Sequence, residues 1–264
     1  MNAELLNEFP VWLVGLVVVI ILLVTLEFGY RVGLSRRALW KDADTGGGQI
    51  TLTTMFAILG LMLAFTYGAG VSRFDARKEA VILEVNVIRD AFLLAEVVAE
   101  PGRTKLKQAL LDYALTRKPK KGQRYSRKKV QELIQKSLHA QSKLWPITKE
   151  ITKQMSSASS FKLIAAVSQV INAHTIRLAA RDDKLPSAVL LMLLFVAAAS
   201  LSVAGFNAGI SGRMSRWRMT TLALVLAGVM LVILDFDEPL DGFIRVNDSV
   251  MYSIINEMEA DFAQ

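Results

Sequence analysis

Residues 51–98, TLTTMFAILGLMLAFTYGAGVSRFDARKEAVILEVNVIRDAFLLAEVV, constrain this chain more than any other stretch. The first half carries no charge and is long enough to cross a bilayer, which takes about 20 apolar residues. From Arg73 onward charges enter, yet Val81, Val85, Ile88, Phe92 and Leu93 or Leu94 still recur at helical spacing. No proline interrupts the run, and its glycines lie only in the apolar half. The pattern predicts one helix that leaves the membrane and continues into water as an amphipathic rod. Asn86 lies beside the apolar stripe and is expected to be buried with its amide satisfied.

Composition agrees. Of 264 residues 53% are hydrophobic, and the mean hydropathy is +0.37, with the apolar residues clustered. There is no cysteine, so disulfides, thiolate nucleophiles and cysteine-ligated metals are excluded, and two distant histidines do not make a histidine metal site. The net charge of +7 is unevenly spread: residues 72–186 hold 23 basic and 11 acidic residues. No nucleic-acid fold signature accompanies that surplus, which reads as a solvated helical surface, not a nucleic-acid interface.

Three more apolar stretches complete the membrane part. Residues 9–26, FPVWLVGLVVVIILLVTL, make a first span; they lack the basic start and small-residue cleavage site of a signal peptide. Residues 30–49 read as a loop closed by Gly46, Gly47 and Gly48. Residues 185–212 make a third span, with Ser200, Ser202, Ala204 and Gly205 as packing positions, and residues 219–234 a short fourth. Between the second and third, helices are expected at 104–116 (Leu106, Leu110 and Tyr113 inward), 126–143, up to 155, and 161–181 (Ile164, Val167, Ile171 and Leu178 on one face). Trp145-Pro146 and the SSASS run are the expected breaks, and 118–125 an exposed basic loop. The fold class is therefore all-α: four transmembrane helices with an extramembrane helical bundle inserted between the second and third. The expected segments are 1–71, 72–186, 187–235, and an acidic tail at 236–264 with a short helix at 248–262.

Two short loops hold Arg31, Arg36, Arg37, Lys41 and Arg213, Arg216, Arg218. The positive-inside rule applied to them puts the bundle outside the cell. The basic residues flanking the spans on the bundle side oppose that assignment.

The segment 63–75, LAFTYGAGVSRFD, resembles the pore helix of bestrophin chloride channels. There a Leu–small–Phe triplet, here Leu63-Ala64-Phe65, is followed eight residues on by an arginine and an aromatic, here Arg73-Phe74. SRFDARKEAVILEVNVIRDAF, AHTIRLAARDDKLP, the short fourth span and LDFDEPLDGFIRVND are similar to the bestrophin-like domain family of bacterial membrane proteins. The resemblance covers most of residues 51–248. It implies a multi-pass protein of the bacterial inner membrane, assembled as a homo-oligomer, a pentamer in bestrophins. Its second transmembrane helices would line a pore for small anions such as chloride. Counting back from Phe65 by fours, the pore-lining residues it implies are Phe65, Leu61 and Ala57, where the family carries a large apolar residue in place of Ala57. It also implies calcium near the acidic stretch, with Asp235, Asp237 and Asp241 as ligands, although the family's longer acidic run is missing and a solvated turn is the other reading. It puts the bundle in the cytoplasm, against the loop charges.

The residues themselves fit such a pore in three ways. Gly60, Ala64 and Gly68 recur every fourth residue and let helices pack closely. Leu61 and Phe65, one turn apart, form an apolar constriction that gates by dewetting. Arg73, Arg77 and Lys78 place positive charge at the mouth, which concentrates anions. The competing reading is a non-conducting scaffold or sensor whose bundle binds a protein partner. An enzyme is not indicated: no nucleophile elbow, phosphate loop or HExxH sequence is present. His174, Arg177 and Arg181 read as a polar seam with Asp75 or Glu84 paired to an arginine, since structural ion pairs imitate active sites.

Overall fold

A computed structural model describes residues 11–38, 46–118, 127–212, 215–238, 244, 246–247 and 249–263. Among them every regular element is helical: α1 Val11–Arg36, α2 Gly46–Leu94, α3 Gly102–Thr116, α4 Arg127–Ser142, α5 Leu144–Thr152, α6 Ser157–Asp182, α7 Ser187–Ser211, α8 Arg216–Asp237 and α9 Ser249–Asp261. The chain divides into two compact units, residues 1–73 with 184–244 and residues 74–183 with 245–264. Among the described residues, four stretches of helix are long and apolar enough to cross a membrane, carried by α1, α2, α7 and α8.

The long helix is as expected. α2 runs 49 residues without a break, about 74 Å at 1.5 Å per residue. A short 3-10 turn, Ala95–Val97, ends it. Gly46, Gly47 and Gly48, expected as a helix-breaking turn, form its first turn. Glycine's cost in a helix is lost backbone entropy, which weakens that end without forbidding it. Asn207 Nδ2 holds that start by donating to the Gly48 carbonyl at 3.1 Å.

In the apolar unit, α1 and α7 form the tightest pair. Gly29 and Gly33 of α1 face Gly205 and Gly209 of α7. A Cβ on Gly29 would strike the Ser202 carbonyl oxygen, on Gly33 that of Phe206, on Gly205 that of Leu26, and on Gly209 that of Tyr30. Two glycines four apart on each helix let the backbones touch, the approach that stabilises helix pairs in lipid. The remaining core is Val18, Leu22 and Leu26 against Leu193, Ala197, Leu201, Ala223, Ala227 and Ile233. α1 reaches Arg36, ten residues past the predicted end of the first span. Its Glu27 and Arg31 form an i,i+4 pair at 2.9 Å on the exposed face, so those charges do not end the helix. The fourth span is likewise not short: α8 has 22 residues, about 33 Å.

The second unit is a helical bundle around Val85, Ile88 and Phe92 of α2, Leu106, Leu110 and Tyr113 of α3, Leu144 and Ile151 of α5, and Leu163, Val167 and Val170 of α6. α9, expected in a separate tail, buries Met251, Ile254, Ile255 and Met258 in the same core. Lys107 anchors it: buried under the Phe92 ring, it pairs with Glu96 and with Asp261 at 2.7 Å. Several local expectations shift. Pro146 lies inside the first turn of α5, where its missing N–H has no partner to lose. Ser156 caps α6, accepting from the Ser159 amide, so the serine run starts that helix and is not a turn. The buried face of α6 is Leu163, Ala166, Val167, Val170, Ala173 and His174, while Ile164 is exposed. Asn86 is exposed. The basic loop at 118–125 lies, except for Lys118, outside the described residues.

Candidate functional site

Two places collect the residues singled out in the sequence: the bare side of α2, and a buried carboxylate on its other side. Taking Leu61 as zero and about 100° per residue, Ala57, Phe65 and Gly68 fall within about 40° of it. All are exposed, Leu61 at 58% and Phe65 at 71%. The opposite side carries Leu59, Gly70, Arg77, Glu84 and Ile88, all buried. Each unit's own helices cover that second side alone.

Gly60, Ala64 and Gly68 do not pack helices within the chain. All three are exposed, and a Cβ added at Gly60 or Gly68 meets nothing within 4 Å. The close approach expected of them is made by the α1–α7 glycines.

The basic mouth is also corrected. Arg77 is buried; its Nε donates to the Ala180 carbonyl at 3.2 Å and its Nη2 to that of Asp183 at 2.8 Å. It thus satisfies carbonyls at the C-terminus of α6, where the helix dipole favours a cation. Arg73 is half-buried and donates to the Ala69 carbonyl of its own helix at 3.3 Å. Only Lys78 of the three is exposed, and it lies about 100° around the helix from Leu61.

The polar seam assembles around Glu84, which is fully buried. Arg177 Nη1 reaches Oε2 at 2.6 Å, Arg117 Nε reaches Oε1 at 3.0 Å, and the Tyr113 hydroxyl donates to Oε1 at 2.5 Å. His174 Nδ1 lies 2.9 Å from that hydroxyl and 3.6 Å from the carboxylate. One carboxylate therefore ties α2 to α3 and α6. Burial alone pushes its carboxyl up, but the His174 imidazole, the Arg117 and Arg177 guanidinium groups and the Tyr113 hydroxyl outweigh burial and hold it at about 2. Burial and the adjacent carboxylate push the Tyr113 phenol up. Exposed Asp75 and half-buried Arg181 are not among Glu84's partners. Arg117 and the polar end of Tyr113 were missed. Their i,i+4 spacing, Tyr113 in the last turn of α3 and Arg117 as its C-cap, was the available signal, since it puts a hydroxyl and a guanidinium on one face.

Two of the three residues implied for calcium are engaged by backbone amides. Asp235 Oδ2 accepts the Ile244 amide at 2.8 Å, and Asp237 Oδ1 accepts the Leu185 amide at 2.6 Å. Both carboxylates are buried and serve backbone N–H groups ahead of α7 and after α8. Asp241 lies outside the described residues. Among those described, no three His, Cys, Asp or Glu groups gather as metal ligands.

A family model described as the bestrophin-like domain matches residues 13–251. The chain is similar to a bacterial bestrophin homolog from Klebsiella pneumoniae, solved as a point mutant. The TM-score is 0.67 and the identity 11%, over 93% of this chain and 98% of that one. The form of that homolog solved by zinc phasing gives 0.59 and 9%, over 93% and 98%. A point mutant described as a membrane protein gives 0.64 and 11%, over 93% and 96%. At such identities the likeness is one of fold. No curated protein matches the sequence.

Proposed function

The chain belongs to the bestrophin-like domain family, and from that membership we propose that copies of it assemble around an axis into an ion-conducting pore lined by α2. The observation that carries this reading is how little of α2 its own chain covers. Of the apolar window in α2, 17% is buried, against 28% in α1 and 33% in each of the other two candidate spans. Its bare side is a single line, with Ala57, Leu61 and Phe65 at successive turns. A helix so placed has either lipid or other copies beside it. Gly60, Ala64 and Gly68, unused within the chain, are the small residues that let neighbouring copies approach. Leu61 and Phe65 then form apolar rings one turn apart, and such rings gate by dewetting. The assembly would lie in the inner membrane of a bacterium. Chloride is the ion implied by the resemblance; of the three basic residues expected at its mouth, Lys78 is the exposed one.

Reconstituted protein is expected to carry salt across liposome membranes, and Phe65→Trp to slow that flux several-fold by narrowing an apolar ring. The check is ion efflux from loaded vesicles, in sodium and in chloride forms. Flux no greater than from empty vesicles overturns the pore.

A further inference from the structure

We infer that one end of the apolar unit is a binding surface for the headgroup of an anionic phospholipid, an inference that does not depend on the pore proposed above. Three helices meet at that end. α1 and α7 run in the same direction, since Gly29 lies on Ser202, Gly33 on Phe206 and Gly212 on Arg37. Both finish there, and α8 starts there at Arg216. Their lengths set the level. α1, α7 and α8 have 26, 25 and 22 residues, about 39, 38 and 33 Å at 1.5 Å per residue, against a hydrocarbon core of about 30 Å. Their shared end therefore reaches the headgroup layer. Arg36 and Arg37 stand at the end of α1, and Arg216 and Arg218 at the start of α8. All four are exposed, and none has a side-chain hydrogen-bond or ion-pair partner among the described residues. In the sequence, the two connecting loops add Lys41 and Arg213 against Asp42 and Asp44, which cancel and leave the four arginines in surplus.

Two further observations point to lipid as the occupant. Trp217, between Arg216 and Arg218, is 80% exposed. An indole so bare is poorly placed in water and well placed in the interfacial layer, which serves both its apolar ring and its N–H. Arg37 is also held in a fixed pose. A Cβ built on Gly212 would strike its Cζ, Nη1 and Nη2 together, at nearly equal distances, so the guanidinium lies flat over that glycine. Gly212 has φ 65, the left-handed conformation that ends α7. The position thus suits glycine twice, once for the backbone and once for the arginine above it. Stacking fixes the guanidinium plane and leaves free its N–H edge, the fork that grips two phosphate oxygens at once. A phospholipid phosphodiester supplies those oxygens at the depth the helix lengths dictate. Its negative charge answers the arginine surplus.

The test is native mass spectrometry of the purified full chain, offered equal amounts of phosphatidylglycerol and phosphatidylcholine with the same acyl chains. Wild type is expected to retain phosphatidylglycerol in preference by at least about tenfold. Arg37→Gln should lower that ratio about fivefold, and adding Arg216→Gln with Arg218→Gln should lower it further. Lys143→Gln removes the same charge from an exposed position on the bundle and should leave the ratio unchanged. The substituted side chains are all exposed, and size-exclusion chromatography reports whether the variants assemble as wild type does. Equal retention of the two lipids, a ratio unmoved by the arginine variants, or the same fall with Lys143→Gln overturns the surface. Displacement of the lipid by millimolar glycerol phosphate identifies a free anion as the ligand and overturns the lipid assignment. Ion flux plays no part in the readout, so this surface and the pore stand or fall separately.

Discussion

Glu84→Ala is expected to destabilise the extramembrane bundle by about 3 kcal/mol, because it removes a fully buried carboxylate that two half-buried arginines and a buried tyrosine share. Glu84 is fully buried, and Arg117 and Arg177 both direct guanidinium nitrogens at it. Removing the carboxylate takes the counter-ion from two half-buried guanidinium groups and the acceptor from the fully buried Tyr113 hydroxyl. The measurement is thermal or denaturant unfolding followed by circular dichroism in detergent. The pH dependence identifies the cause. The folded carboxyl is held at about 2 against 4.5 for an unperturbed group, so its contribution, about 3 kcal/mol, is complete above about pH 5. It is lost as the pH falls through the folded value. The stability gap between wild type and Glu84→Gln should therefore be widest near neutrality and narrow steadily below pH 4.5. A gap that is small, or constant down to strongly acid solution, contradicts the ion-pair account of this site.

Gly205→Val should be still more damaging. The new Cβ would meet the Leu26 carbonyl oxygen and the Tyr30 amide nitrogen, the latter at 2.9 Å. Both belong to the backbone of α1, which cannot move aside as a side-chain tip can. Relieving the clash means separating α1 from α7, so a loss above about 4 kcal/mol is expected. It would be seen as failure to recover monodisperse protein from membranes. Gly228→Ala on α8, where the added Cβ meets nothing within 4 Å, should extract like wild type. If the two variants behave alike, the glycine pair is not what holds α1 to α7.

The contrast between α2 and α1 shows what a sequence read alone reveals. α2 was legible because its apolar and charged halves share one helical period with no proline between them. Leu106, Leu110 and Tyr113 were legible as an inward face for the same reason. α1 was cut short because Glu27 and Arg31 looked like a membrane exit, when in fact they neutralise each other one turn apart. That truncation hid Gly29 and Gly33, so only the α7 side of the pair, Gly205, was named as a packing position. α8 was shortened in the same way, by taking Arg216, Arg218, Asp235 and Asp237 as loop charges. The remaining errors concern contacts distant in sequence. Arg77 bonds carbonyls more than a hundred positions away, and no local pattern tells a buried cap from a free charge at a mouth. Half of the Glu84 centre was foreseen, because His174 and Arg177 share one helix. Arg117 was not, because its link to Glu84 exists only once α3 folds against α2.

The proposed pore requires the bare line of α2 to face a shared column of water and not acyl chains. The absence of native cysteine allows this to be asked one position at a time. With Leu61→Cys, a charged, membrane-impermeant thiol reagent should react and block most of the ion flux. With Val24→Cys, on the exposed face of α1, the same reagent should leave flux unchanged. If the thiol at position 61 ignores the charged reagent, is labelled by a lipid-soluble one, and conduction persists, α2 does not line the path.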